Sequence, residues 1–257
     1  MNSIATKFNF WIKETISNRP LKIFRIVFAA IWLVYDLLDF SFGELSRNFV
    51  VDANPPLHAL AICQVLLIIC ELGLLLGWRA RFFAFLCFGF RFWEASFFDL
   101  NDYFYFCTTA LILSQCEISN GKNAQTPKWS RDVLIIQTGW IYFASALLKL
   151  NPLWLSGGDL FTRFRILSFD LGWLYPEFMK KMVFSMPFDS ALAWFTVIAE
   201  FGIAILLFTR WSKRTLFILT MGVHLTAALT LNVWFFGASL ISQVVILNLK
   251  YDPPHIE

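Results

Sequence analysis

Long apolar runs follow one another along most of this chain, and the connectors between them are too short to fold separately. A helix needs about 20 apolar residues to cross the hydrocarbon core of a bilayer, and several runs approach that length. The composition agrees, because 58% of the 257 residues are hydrophobic and 15% are charged, a more apolar balance than soluble domains have. The sequence therefore predicts an all-α, multi-pass integral membrane protein.

The spacing of the runs predicts about eight transmembrane helices in one bundle, so residues 1–257 are expected to form a single domain. The clearest spans are Leu57–Gly77, which follows the helix-start signal Asn54-Pro55-Pro56, and Pro187–Phe208, which precedes a basic turn.

Two segments differ from the spans and are predicted to lie in the membrane interface. Residues 1–20 carry apolar side chains at helical spacing among charged ones, which predicts a short interfacial helix. Residues 151–186, between spans five and six, mix aromatic and basic side chains, which favours interfacial helices covering one mouth of the bundle. The apolar positions of the first segment are Phe8, Trp11, Ile12 and Ile16.

Basic residues are concentrated in alternate connectors, which predicts the orientation of the chain. Short connectors rich in Lys and Arg stay in the cytoplasm. Both termini are therefore expected there, while the acidic connectors near Asp52 and Asp102 lie on the opposite side together with Lys149. The basic segments are residues 1–20, 78–81, 122–131 and 210–214 and the tail from Lys250.

Composition also bears on partners and metals. The net charge of +3 is small and lies in loops, so it gives no support to nucleic-acid binding, and the lipid bilayer is the expected partner. The five cysteines show neither a CxxC pair nor a Cys/His spacing suited to zinc. No metal site is predicted, and the cysteines are expected to be small packing residues.

One stretch does not resemble a lipid-facing anchor. Residues 131–159 read RDVLIIQTGWIYFASALLKLNPLWLSGGD, and the apolar part ends on Lys149. A lysine close to hydrocarbon is costly unless it faces protein or water. Two interpretations remain open, because Lys149 can snorkel beside an interfacial Trp, or an apolar pocket can favour the neutral amine and make it a general base.

Glu200 and His224 form a second candidate group. Each lies ten residues from the basic turn 210–214, so on antiparallel helices both are about 15 Å from that turn. They can clamp two helices together, serve a proton or substrate, or make no contact. Lys149, at the end of its span, is expected to lie apart from both.

Two arginines lie inside other predicted spans. Arg25, one turn inside the first span, either snorkels to the surface or faces inward. Arg91 and Glu94 are three residues apart, so they are expected to pair on one helix face, with a structural role.

The stretch that contains Lys149 resembles a known pattern. Gln137 with Ile141-Tyr142-Phe143-Ala144, then Leu148-Lys149-Leu150, Trp154 and Gly157-Gly158-Asp159, is similar to the succession Q, VYF-A-G, K-L, W, G-E/D of the HTTM membrane domain, the fold of vitamin K-dependent gamma-carboxylase. Other segments agree in order: Arg25, the turn Gly77-Trp78-Arg79, Leu100-Asn101, Glu200 and His224-Leu225.

The resemblance implies a role for each of these positions. In the carboxylase, the lysine matching Lys149 is regarded as the base that deprotonates vitamin K hydroquinone. A quinone-like lipid is therefore the implied cofactor, a secreted peptide or protein the implied partner, and a bacterial cytoplasmic membrane the implied location. The implied catalytic residues are Lys149, His224 and Glu200, and the implied cofactor-binding residues are Gln137, Tyr142, Trp154 and Arg25.

Two departures argue against a complete gamma-carboxylase. Asn101-Asp102 stands where the carboxylase has Asn-His, and the chain lacks the large lumenal region that holds its protein substrates. Three functions remain open: an enzyme-like maturation factor acting at the non-cytoplasmic face, a transporter or proton pathway using Glu200 and His224, and a non-catalytic assembly partner.

Overall fold

The computed structural model describes residues 14–41, 57–96, 101–116, 125–158, 186–209, 213–231 and 234–248. These residues are mostly helical, which confirms the all-α prediction. Over the described part there are nine helices and one pair of short strands. The helices are α1 (Arg19–Ser41), α2 (Leu57–Leu76), α3 (Ala80–Ala95), α4 (Asn101–Gln115), α5 (Lys128–Leu148), α6 (Pro152–Leu155), α7 (Met186–Phe208), α8 (Lys213–Leu231) and α9 (Trp234–Asn248), and the strands are β1 (Thr15–Ser17) and β2 (Gln125–Pro127).

Two of the described helices are long and apolar enough to cross a membrane. The qualifying stretches are Ala59–Leu76 in α2 and Asp189–Phe208 in α7. By length and composition these two helices are compatible with membrane association, whereas the predicted count of eight transmembrane helices is not supported. The other described helices are shorter or more polar than these two. Helix α3, for example, has 16 residues, which include Arg91 and Glu94.

The chain before α1 forms a strand where the sequence predicts an interfacial helix. β1 pairs antiparallel with β2, and Ile16 lies opposite Thr126. β-Branched residues favour this extended pairing, and Lys128 Nζ donates to Glu14 Oε2 at 2.8 Å beside it. The helix predicted over residues 1–20 is therefore wrong for residues 14–18, and residues 1–13 lie outside the described part.

The chain divides into two compact units. Unit 1 comprises Met1–Leu134 and Ile246–Glu257, and unit 2 comprises Ile135–Val245. In unit 1, α1 packs on α2, α2 on α3, and α3 on α4. The single-domain prediction stays a prediction.

Aromatic rings fill the core of unit 1. Phe28 and Trp32 of α1 both contact Phe106 of α4, with ring centroids 5.1 and 4.8 Å away. The cysteines are buried and free of disulfides, as expected of packing residues; they are Cys63, Cys70, Cys87, Cys107 and Cys116.

Unit 1 also buries one guanidinium among three carboxyl groups. Arg91 Nη1 donates to Glu94 Oε2 at 2.7 Å, which confirms the predicted pair. Arg91 Nη2 donates to Asp36 Oδ2 at 2.5 Å and lies 3.6 Å from Glu71 Oε1. We call this group the Arg91 cluster. It joins α1, α2 and α3 through charged side chains that are buried away from water.

In unit 2, α6 is a single turn held against the start of α7. Asn151 Oδ1 accepts from the backbone N–H of Trp154 at 2.9 Å and caps the turn. The Trp154 ring packs on Ala193 and Val197 of α7. This turn is the described beginning of the predicted lid over residues 151–186, of which residues 159–185 lie outside the described part.

A glycine permits this close approach. Gly157 follows α6 with φ of 83°, a left-handed conformation that side-chain-bearing residues rarely adopt. A Cβ atom added there would lie 2.5 Å from the Cβ of Asp189 in α7. The fold therefore needs a residue without a side chain at this position.

Candidate functional site

Three polar side chains follow one another along a single face of α5 and its end. Tyr142, Ser145 and Lys149 are spaced by three and four residues, which places them on the same side of a helix. Lys149 follows the last residue of α5, and its backbone N–H still donates to the carbonyl oxygen of Ser145 at 3.2 Å. The lysine is thus positioned by a helical turn.

Lys149, Ser145 and Glu200 form a closed triangle of hydrogen bonds. Lys149 Nζ donates to Glu200 Oε1 at 2.5 Å and to Ser145 Oγ at 2.6 Å. Ser145 Oγ in turn donates to Glu200 Oε1 at 3.1 Å. The side chain of Lys149 is 18% exposed and that of Glu200 is 7% exposed, so the lysine is the more accessible member of the pair.

An aromatic ring lies beside the amine. Lys149 Nζ is 5.3 Å from the centroid of the Trp154 ring, a distance typical of a cation–π contact. The indole Nε1 of Trp154 is buried and has no hydrogen-bond partner among the described residues. The α6 turn therefore places the aromatic ring of Trp154 next to the Lys149 amine.

A second buried pair involves the same face of α5. The Tyr142 hydroxyl lies 2.6 Å from His224 Nε2, and the donor depends on the histidine tautomer. The two rings meet edge to face, with centroids 5.7 Å apart. Gly237 of α9 lies against the imidazole, where a Cβ atom would be 3.2 Å from Nδ1.

Of the alternatives that the sequence left open for Glu200 and His224, the structure agrees with the one that has no direct contact. Among the described residues no hydrogen bond or ion pair joins Glu200 to His224, because Glu200 bonds to Lys149 and His224 to Tyr142. The expectation that Lys149 lies apart from Glu200 is wrong. A lysine side chain is long enough to reach back along its helix, so a residue at the helix end meets a more deeply placed carboxylate.

The remaining predicted positions fall in different places. Gln137 lies half-buried on α5 in unit 2. Arg25 belongs to unit 1, where it is 1% exposed and lies beside Gly77, so of its two interpretations the inward-facing one is correct. Sequence reasoning missed Ser145 as a site residue, although its position between Tyr142 and Lys149 on one helix face was the available signal.

No family model, curated protein or solved structure matches this chain. The resemblance to the HTTM domain therefore stays a prediction from the sequence. Within the described part, no group of three or more His, Cys, Asp or Glu residues is arranged to hold a metal ion.

Chemically, the triangle can exchange protons. It offers an ammonium donor, a carboxylate acceptor and a hydroxyl that can do both, within 3.1 Å of one another. Lys149 and Ser145 are partly exposed, and Glu200 is buried. A site with this arrangement can accept a proton at one atom and hold it at another.

Proposed function

We propose that this chain is an HTTM-type membrane protein, with about eight transmembrane helices and both termini cytoplasmic, that removes a proton from a quinol-like lipid at its non-cytoplasmic face. The observation that carries the proposal is the contact between a partly exposed lysine, Lys149, and an enclosed carboxylate, Glu200, at 2.5 Å. A secreted peptide or protein is the proposed final substrate, since the resemblance implies a role in maturation.

The proton moves in two linked transfers. Lys149 Nζ gives one of its protons to Glu200 Oε1, and the neutral amine takes the proton of the substrate hydroxyl. The products are a substrate oxyanion, an ammonium group and a carboxylic acid, so charge and protons balance. The ammonium stays next to the oxyanion and stabilises it, which is electrostatic catalysis in a site of low polarity.

The neighbours of the amine have supporting roles. Ser145 holds Nζ on the side of Glu200 at 2.6 Å, and Trp154 presents a ring against which a quinol can pack. Tyr142 is hydrogen-bonded to His224, so we propose that this pair packs the interior of the site. Gln137 remains a candidate for contact with the cofactor by resemblance alone.

The test uses a naphthol analogue of a quinol whose ionised form absorbs at longer wavelength than the neutral form. With purified protein in nanodiscs, bound analogue should ionise on the wild type. Lys149→Met should still bind the analogue but leave it neutral, and Glu200→Gln should reduce the ionised fraction. Leu148→Met is the matched control, since Leu148 is the exposed neighbour of the lysine. Equal ionisation on the wild type and Lys149→Met would overturn the proposal.

A second candidate function is a proton pathway. It is favoured by the buried Tyr142–His224 hydrogen bond on the same face of α5 as the Lys149 triangle. It predicts proton flux into proteoliposomes, followed with a pH-sensitive dye, that His224→Ala abolishes. Thr220→Val on the same helix is the control, because among the described residues the Thr220 hydroxyl donates to the carbonyl oxygen of Leu216 in its own helix. Wild-type liposomes without flux would eliminate this function.

A further inference from the structure

The turn before α3 in unit 1 has two residues in the left-handed region. Gly77 has φ of 76° and Arg79 has φ of 41°. No side chain caps the start of α3. The first N–H groups of a helix have no partner within it, and together they carry a partial positive charge. The N–H groups of Phe82 and Phe83 donate to the carbonyl oxygen of Arg79, so the donors left without a partner within the helix are those that precede Phe82.

A buried guanidinium lies against the same turn. If Gly77 carried a Cβ atom, that atom would be 2.7 Å from both Nη1 and Nη2 of Arg25. Arg25 is 1% exposed, and its Nε and Nη1 atoms have no hydrogen-bond partner among the described residues. In the same unit, Arg91 is surrounded by carboxyl groups, so the two buried arginines have opposite surroundings.

An unpaired guanidinium is costly to bury. Most buried ionisable groups can become neutral, but a guanidinium keeps its charge at any pH a protein experiences. The desolvation of a buried charge is therefore offset only by an anion or by several acceptors. Among the described residues, the Nε and Nη1 atoms of Arg25 have no such acceptor.

We propose that Arg25, Gly77 and the start of α3 form a binding site for a phosphate group, either on an anionic lipid or free in solution. A guanidinium fork matches two phosphate oxygens, and a helix start binds phosphate through its N–H groups. The exposed side chains of Arg79 and Arg81 add positive charge at the same turn, and Arg81 is anchored by its Nε, which donates to Ser114 O at 3.0 Å.

The location agrees with such a ligand. The turn 78–81 is one of the basic connectors that predict the cytoplasmic side, where anionic headgroups attract basic segments. The proposal concerns unit 1 alone and does not depend on the proton chemistry proposed for Lys149.

The test compares the purified full chain in three settings: phosphatidylcholine nanodiscs, the same nanodiscs with phosphatidylglycerol, and phosphatidylcholine nanodiscs with added inorganic phosphate. Thermal unfolding reports stabilisation, and native mass spectrometry reports retained lipid. A rise in Tm with phosphatidylglycerol identifies a headgroup, and a rise with inorganic phosphate identifies a free anion. Arg25→Gln should lower retention or affinity by about tenfold or more, the effect of losing charge-assisted hydrogen bonds.

Three further variants separate the site from general surface charge. Gly77→Ala should also lose the ligand, because its Cβ displaces Arg25, whereas Gly89→Ala on α3 meets nothing within 4 Å and should keep it. Arg79→Gln tests the exposed charge. If the wild type is indifferent to both ligands, the proposal is overturned whether or not the variants fold. It is also overturned if Arg25→Gln keeps the ligand and Arg79→Gln loses it.

Discussion

At the scale of single residues, the ammonium of Lys149 divides its hydrogen bonds between a hydroxyl and a carboxylate. The two acceptors are Ser145 Oγ and Glu200 Oε1. The lysine side chain is more exposed than that of its partner Glu200. The pair is therefore both a structural contact and a candidate proton store, and substitutions can separate these roles.

Glu200→Gln should destabilise the fold by about 1–3 kcal/mol, less than for a fully buried pair because Lys149 can turn toward solvent. Glu14→Gln is the matched control, since its ion pair with Lys128 is about one-third exposed and should contribute less than about 1 kcal/mol. Chemical denaturation in detergent micelles measures both. Equal losses would mean that the Lys149–Glu200 contact is no stronger than a surface pair.

At the scale of helices, the Arg91 cluster determines how α1, α2 and α3 hold together. Arg91→Met would leave Asp36, Glu71 and Glu94 buried without a counter-charge. The expected loss is about 3–5 kcal/mol, the usual cost of breaking a buried pair. A double variant that also carries Asp36→Asn should regain part of the lost stability. Denaturation curves measure the free energy of unfolding, and Arg214→Met, at an exposed position, is the control. If Arg91→Met costs no more stability than the control, the Arg91 cluster does not hold these helices together.

The contact between α6 and α7 makes a different prediction. Gly157→Ala introduces a side chain at positive φ and 2.5 Å from Asp189, so we expect a loss of about 2 kcal/mol or more. Gly158→Ala is the control, because its Cβ would meet the flexible end of Leu153 at 3.1 Å. Thermal unfolding ranks the two. If both variants melt together, the close approach of α6 to α7 is not required.

Helix positions were predictable because their signals are local. The predicted span Leu57–Gly77 matches α2 (Leu57–Leu76), and Pro187–Phe208 matches α7 (Met186–Phe208). Apolar length, proline and basic turns mark such ends within a few residues. β1 was missed because its partner lies 110 residues further along the chain.

The candidate site was only partly predictable for the same reason. Lys149, Glu200 and His224 stand out as costly residues in apolar runs. Which of them pair is a tertiary question, since Glu200 is 51 residues from Lys149, and His224 is 82 residues from Tyr142. The equal spacing of Glu200 and His224 from the turn 210–214 predicted similar depths for these two residues. It could not predict the direction in which the long side chain of Lys149 extends.

At the scale of the whole molecule, the number of membrane crossings can be tested with reporters. Eight crossings put a reporter at Asp52 outside the cell and one at Glu257 inside. Two crossings, at α2 and α7 alone, put both on the same side. We expect opposite sides, measured with reporter fusions active in one compartment each. Same-side signals would reject the eight-span arrangement. A fusion at Lys122 gives a second comparison, because eight crossings place it on the side of Glu257 and two crossings place it on the opposite side.

The Arg91 cluster also has a consequence for biosynthesis. Asp36 leaves the ribosome 55 residues before Arg91, a delay of roughly 3–11 s at the usual rates of about 5–20 residues per second. During that interval the carboxyl groups of α1 and α2 lack Arg91, the cation with which they pair in the folded chain. We therefore expect the first three helices to enter the lipid as one cohort, after α3 has been made, instead of singly in the order of translation.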